Sequence, residues 1–192
     1  VDVVPDDLFD QVADTVTPQG ILGKVDMPVY SLEEILNSRS RLYLMLDDLR
    51  DPGNLGTMIR TSEAAGVAGV IMSKGTVDLF NPKVVRATMG AIFRVPFIYV
   101  DSLPETIMQM RKKEISVYGT ILEESRVYDD PDYTKPSAVV VGNEANGISR
   151  EVRESLSGRI HIPMEGSVES LNAAVAAAVV LYEASRQRRK TD

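Results

Sequence analysis

The 192-residue sequence contains no cysteine, no tryptophan and a single histidine, His161. Without cysteine the chain forms neither disulfides nor thiolate metal sites, and one histidine cannot build a multi-histidine metal site within one chain. No apolar run reaches the length of about 20 residues that a membrane-spanning helix needs. These absences predict a soluble, metal-free protein that does not enter a membrane, and the reducing cytoplasm is the compartment that we expect.

Two nucleotide-binding signatures are also missing. Neither GxGxxG nor GxxxxGK[ST] occurs, which argues against a Rossmann dinucleotide site and a P-loop. The formal net charge is −7, although affinity for RNA depends largely on Lys and Arg that neutralise phosphates. An RNA-binding role therefore requires a local basic face, which an overall negative charge permits.

Short apolar runs alternate with helical patterns along the whole chain. The predicted strands are residues 42–46, 67–72, 97–100, 115–118, 138–141 and 159–162, with a further strand near 21–25. The predicted helices are residues 8–13, 31–37, 55–65, 81–89, 103–113, 149–156 and 171–188. Strands that alternate with helices predict an α/β fold, an open and mainly parallel sheet with helices on both faces.

The first of three motifs at strand–helix junctions is residues 51–60, DPGNLGTMIR. We expect Asn54 to be the N-cap of the following helix. Arg60 lies three residues before Glu63, so the two could pair on the helix surface. A helix cap and a surface ion pair would by themselves explain these residues without any catalytic role.

The second motif, residues 142–149 (GNEANGIS), follows a predicted strand. Gly142 would let a ligand approach the backbone, Glu144 projects from the turn, and Ser149 is placed to cap the next helix. A glycine-rich turn after a strand is common in α/β proteins. The motif alone is therefore weakly specific.

The third motif, residues 162–172 (IPMEGSVESLN), joins the last predicted strand to an alanine-rich helix. Ser170 could simply be the N-cap of that helix. The many alanines leave little side-chain bulk, so the helix can lie very close to another backbone, as a tight dimer contact or a threaded chain would require. His161 lies between Ile160 and Ile162 on the predicted strand, where we expect a structural role.

Taken together and in this order, the three motifs resemble those of the SpoU/TrmH-type RNA 2′-O-ribose methyltransferases of the SPOUT superfamily. The resemblance extends over residues 15–186. It implies S-adenosylmethionine as methyl donor, an RNA substrate, and a C-terminal segment that passes through a loop to form a trefoil knot. Knots are exceptions to the usual topology rules, so the knot comes from the resemblance alone.

The resemblance also implies the site residues. Its active-site set matches Asn54, Arg60, Glu144, Ser170 and Asn172. The positions that contact the methyl donor match Gly142, Ile162 and Leu171, and we expect Thr120 to line the same pocket. A guanidinium is essentially always protonated, so Arg60 is better suited to stabilise negative charge on a ribose oxygen than to act as a base.

Several wider expectations follow from the resemblance. Residues 1–30 would be a linker and the remnant of a missing N-terminal substrate-binding domain, and residues 31–192 the catalytic domain. The chain would form a homodimer through its C-terminal helix and methylate 23S ribosomal RNA. The alternatives are a tRNA ribose methyltransferase, a non-catalytic module that binds S-adenosylmethionine or RNA, and a flavodoxin-like binding domain.

Overall fold

The computed structural model describes residues 1–13 and 17–189. Within them, seven strands form one sheet in the order β3-β2-β1-β6-β4-β7-β5, and every pairing is parallel. The strands are β1 (Leu42–Leu46), β2 (Gly69–Ser73), β3 (Phe97–Val100), β4 (Ser116–Thr120), β5 (Arg126–Val127), β6 (Ser137–Val141) and β7 (Gly158–His161).

Helices cover both faces of this sheet. The helices of the described residues are α1 (Asp6–Val12), α2 (Leu32–Leu36), α3 (Pro52–Ala65), α4 (Pro82–Ala87), α5 (Leu103–Lys112), α6 (Arg150–Ser155) and α7 (Ala173–Arg189), with a short 3₁₀ helix at Ala91–Phe93. Apolar side chains of α3, α4 and α7 pack on one face, and those of α2, α5 and α6 on the other. The predicted fold class, a parallel α/β sheet with helices on both faces, is confirmed.

The central strands show why continuous apolar runs were informative. All five residues of β1 and all five of β6 are buried, because each strand has a neighbour on both sides and helices above and below. Strands buried on both faces are apolar throughout and do not alternate. The carboxyl ends of β1 and β6 therefore lie side by side, and the first and second motifs follow them directly.

Some sequence expectations need correction. No strand forms near residues 21–25, where Ile21, Leu22 and Val25 are exposed and irregular. The two-residue strand β5 was not predicted, because it is too short to carry a pattern. A capping box at Ser31 and Glu34 begins α2, with both hydrogen bonds formed. The knot is a property of chain threading, and it stays a prediction.

Helix α3, which carries the first motif, lies very close to α4. A Cβ placed on Gly56 of α3 would be 2.4 Å from the Ala87 Cβ and 2.9 Å from the Val84 carbonyl oxygen of α4. Only glycine fits at such a contact. Gly56 thus lets α4 pack directly against the backbone of α3, which holds the first motif in place.

Candidate active site

A cavity of about 470 Å³ opens where β4, β6 and β7 end. This volume lies within the range of about 300–1,000 Å³ that is typical of small-molecule sites. All four predicted donor contacts and three predicted catalytic residues line it, namely Thr120, Gly142, Ile162, Leu171, Glu144, Ser170 and Asn172. Ligands of parallel α/β proteins bind at this edge of the sheet, so the cavity lies where a ligand is expected.

The loop of the second motif forms one wall of this cavity. Asn143 and Gly147 pair through two backbone hydrogen bonds of 3.0 and 2.9 Å, which closes the loop into a tight turn. A Cβ on Gly142 would lie 2.2 Å from the Gly147 carbonyl carbon and 2.3 Å from the Ile148 nitrogen. Glycine is therefore required at 142 by the loop itself, a constraint that sequence reasoning had assigned to a ligand.

Glu144 holds this loop to the first motif. Its Oε1 accepts hydrogen bonds from the Asp51 amide (3.0 Å) and the Asn54 Nδ2 (2.9 Å), and its Oε2 accepts one from the Arg50 amide (3.1 Å). Burial acts to raise the pKa of this carboxyl, but the hydrogen bonds from Asn54 and backbone amides outweigh it and the pKa is lowered. A carboxylate with three donors and a lowered pKa is a poor base and an effective anchor.

Asn54 is not the N-cap of α3 that the sequence predicted. Asp51 is the N-cap of α3, since its Oδ1 accepts the Asn54 amide at 2.7 Å, so the expected cap position was wrong by three residues. The Asn54 side chain instead joins Glu144 to Asn172. Its Nδ2 donates to Glu144, and its Oδ1 accepts from the Asn172 Nδ2 at 2.9 Å. Asn54 is only 8% exposed, so this bridge is largely shielded from water.

The third motif joins the same network through Asn172. Helix α7 begins at Ala173, and the Asn172 Oδ1 accepts from the amides of Ala174 (2.9 Å) and Val175 (3.3 Å). Asn172 is therefore the capping residue, and the alternative that Ser170 caps the helix is wrong. Ser170 is exposed and lines the cavity. A single chain of hydrogen bonds, Asn172 to Asn54 to Glu144, thus connects all three motifs.

Arg60 stands apart from this network. It is exposed on α3 and is not among the residues that line the cavity. The expected partner, Glu63, pairs instead with Arg94. The side chain of Arg60 makes no hydrogen bond or ion pair with any residue that the structure describes. An unpaired guanidinium at the surface is available to an anionic group from another molecule.

Two partly buried contacts at the end of β1 were not predicted from the sequence. The Asp47 Oδ2 accepts the Ser149 amide at 2.7 Å, and the Asn143 Nδ2 donates to the Asp48 carbonyl at 2.8 Å. These contacts fix both ends of the second-motif loop against β1. Ser149 is the N-cap of α6 by position, but its side chain forms no cap hydrogen bond, and its own backbone amide donates to Asp47. An Asp doublet directly after a buried strand was the available signal.

The described residues contain no cluster of three or more His, Asp or Glu able to hold a metal ion. None of the helices found among residues 1–13 and 17–189 is both long and apolar enough to cross a bilayer.

These observations define a class: a parallel α/β protein with a cofactor-sized cavity built by three linked loops at the carboxyl edge of its sheet. Comparison with known proteins identifies the family. Residues 41–182 match the model of the SpoU rRNA Methylase family, and this range contains all seven strands and all three motifs. The chain belongs to the SpoU rRNA methylase family.

Individual relatives agree with this assignment. The chain is 38% identical over 180 residues to the 23S rRNA (guanosine(2553)-2′-O)-methyltransferase RlmP of Bacillus subtilis, with 94% of this chain and 70% of the relative covered. It is 37% identical over 181 residues to the 23S rRNA (guanosine-2′-O-)-methyltransferase RlmB of Ralstonia nicotianae, covering 92% of this chain and 73% of that protein.

A solved structure is similar as well. The SpoU methyltransferase AviRb of Streptomyces viridochromogenes, in complex with the cofactor AdoMet, has a TM-score of 0.79 and 34% identity, covering 86% of this chain and 67% of that one. The chain thus spans about two thirds of the length of its structural relative.

Proposed function

We propose that this protein is an S-adenosylmethionine-dependent RNA methyltransferase that transfers a methyl group to a ribose 2′-hydroxyl of 23S ribosomal RNA. The observation that carries the proposal is the hydrogen-bond chain from Asn172 through Asn54 to Glu144, which assembles the three motifs beside the cavity. The relatives RlmP and RlmB, named as 23S rRNA methyltransferases, support the choice of ribosomal RNA.

The cavity suits an adenosyl methyl donor in size and lining. Aliphatic side chains such as Ile121 and Ile162 offer an apolar surface for a purine, and Glu144 and Glu169 offer carboxylates near which a cationic group is stabilised. We assign Thr120, Gly142, Ile162 and Leu171 to the donor. When bound, the donor supplies an electrophilic methyl group on its sulfonium sulfur.

The transfer needs a ribose oxygen that is oriented and stabilised as its proton leaves. Arg60 is the residue that we propose for the developing negative charge, because it is exposed, permanently cationic and unpaired among the described residues. Ser170 lines the cavity and offers a hydroxyl that can orient the ribose. Asn54, Glu144 and Asn172 act by holding these loops in register, since their polar atoms are already engaged with one another.

We propose that two copies associate through α7. Val175 and Tyr182, seven residues apart on one face of this helix, are 49% and 47% exposed. Residues seven apart on a helix share a face, so the pair forms an apolar stripe suited to a partner helix.

An RNA substrate also fits the cytoplasmic location that the sequence predicts. Residues 31–192, the proposed catalytic domain, contain every proposed site residue.

The decisive experiment measures methyl transfer from radiolabelled S-adenosylmethionine to protein-free 23S rRNA and, separately, to bulk tRNA. We expect label on ribosomal RNA, in a form resistant to alkaline cleavage because the 2′-oxygen is methylated. Label on tRNA alone would contradict the proposed substrate and favour a tRNA ribose methyltransferase. Arg60→Ala should abolish transfer while S-adenosylhomocysteine still binds, and a variant that transfers normally would exclude Arg60 from the chemistry.

A further inference from the structure

His161, the only histidine in the chain, lies at the end of β7 and lines the donor cavity. Its two ring nitrogens have different surroundings. Nδ1 is 2.8 Å from the Ser125 Oγ, and no other hydrogen bond joins the ring to the residues that the structure describes. The expected structural role therefore accounts for one nitrogen and leaves Nε2 unexplained.

The contacts of Ser125 determine which nitrogen carries the proton in the neutral ring. A serine hydroxyl has one hydrogen to donate. The Ser125 Oγ lies 2.6 Å from the Leu122 carbonyl oxygen, which can only accept, so the hydroxyl proton points there. Ser125 must then accept from His161, which places the proton on Nδ1. The neutral imidazole consequently presents Nε2 as a hydrogen-bond acceptor.

Nε2 is also accessible. Among the side-chain nitrogen and oxygen atoms that are fully buried in the described residues, only the Ser62 Oγ lacks a partner, so Nε2 is not one of the buried atoms. Around His161 the cavity wall is formed by the aliphatic side chains of Ile121, Leu122, Ile160 and Ile162 and by Tyr128, whose amide donates to the His161 carbonyl. This end of the cavity thus offers a mainly apolar surface, and His161 can add an acceptor to it.

We propose that His161 recognises the base of the bound donor, with Nε2 accepting a hydrogen bond from the exocyclic amino group of adenine. This inference rests on the proposed function. A purine is planar and apolar on its faces, which suits the aliphatic wall. The exocyclic amine is the only N–H donor on the adenine base, and Nε2 supplies the matching acceptor.

The test measures binding of S-adenosylhomocysteine and S-inosylhomocysteine by isothermal titration calorimetry. Inosine carries a carbonyl oxygen in place of the amine. In the unmodified protein this oxygen would face Nε2, and two acceptors cannot form a hydrogen bond with each other. We expect it to bind about tenfold more weakly or worse, as for other sites that lose a paired hydrogen-bond donor. In His161→Leu, S-adenosylhomocysteine should weaken by about five- to tenfold, and the difference between the two ligands should largely disappear.

Two further variants complete the design. His161→Gln keeps a side-chain acceptor and should restore part of the preference for adenine. Arg159→Ala, two residues earlier on β7 and paired with Glu124 away from the cavity wall, should bind both ligands like the unmodified protein.

The comparison of ligands needs no variant to fold. Equal affinities of the unmodified protein for the two ligands would overturn the role of His161 and leave the proposed function standing. Absence of any S-adenosylhomocysteine binding would overturn the proposed function and this inference together.

Discussion

Replacing Asn54 with alanine removes the central member of the network that joins the three motifs. The variant loses the hydrogen bond from Nδ2 to Glu144 and the one from the Asn172 Nδ2 to Oδ1, both of 2.9 Å. The backbone amide of residue 54 still donates to the Asp51 cap, so the start of α3 is retained. Asn54→Ala therefore separates the motifs without dismantling the helix.

The expected loss of stability is modest. A neutral hydrogen bond contributes about 1 kcal/mol net, and one to a carboxylate contributes about 1.5–3 kcal/mol. Glu144 is exposed enough for water to replace part of its lost bond, and alanine is a better helix former than asparagine by roughly 0.5 kcal/mol. We expect the free energy of unfolding, measured by urea denaturation, to fall by about 1–2 kcal/mol.

Methyl transfer should fall much more than stability does. A displacement of about 1 Å in positioned groups can cost on the order of 100-fold in rate, so we expect at least a tenfold loss. The assay is transfer of labelled methyl groups to 23S rRNA, with Asn37→Ala as a control that removes an asparagine outside the site. A variant that transfers at the unmodified rate would refute the view that this network aligns the site.

A double-mutant cycle tests the contact itself. Asn172→Ala also removes the cap of α7, so it should cost about 1–2 kcal/mol alone. If Asn54 and Asn172 interact, the double variant should be less destabilised than the sum by about 0.5–1 kcal/mol. Simple additivity would mean that the 2.9 Å contact contributes no energy.

Other substitutions test separate parts of the structure. Gly142→Ala forces a Cβ into the backbone of its own loop, so S-adenosylhomocysteine binding should be lost by calorimetry while the sheet persists by circular dichroism. Gly56→Ala should destabilise by about 1–3 kcal/mol in urea despite better helix propensity, because its Cβ would overlap Ala87; a stabilised variant would contradict the close helix contact. Ser62→Ala removes a buried hydroxyl without a partner among the described residues and should raise the unfolding free energy by about 1 kcal/mol. Because the pKa of Glu144 is lowered in the folded protein, the stability that its ionised form contributes is complete above the ordinary carboxyl pKa. That stability is lost as the pH falls through the lowered value. In Glu144→Gln, urea denaturation at a series of pH values should show that this part of the pH dependence of the unfolding free energy is lost. The part lost is less than about 1 kcal/mol, because the group is exposed.

Much of the fold could be predicted from the sequence because buried parallel strands are apolar throughout. The runs 42–46 and 138–141 lie within one residue of β1 and β6. The segment around Ile21 and Val25 is only partly apolar, with Gly23 and Lys24 between them, and it has no neighbouring strand to pair with. Apolar residues alone do not supply a pairing partner, so that prediction was wrong.

The site could be located from the sequence, but the tasks of its residues could not. Asn54, Glu144 and Asn172 were selected through the family resemblance, and the structure brings them into one network. Their hydrogen bonds depend on side chains that are distant in sequence, which no local pattern encodes. Asn172 rather than Ser170 caps α7 because only the backbone geometry decides where the helix begins.

The Asn54 side chain bonds to partners 90 and 118 residues away along the chain. A polypeptide is synthesised from its amino end. The hydrogen bond between Asn54 and Asn172 therefore cannot form until residue 172, which caps α7, has been added. Chains that stop between residues 161 and 171 still contain the residues of all seven strands. The network that joins the three motifs is therefore complete only in chains that extend past residue 172.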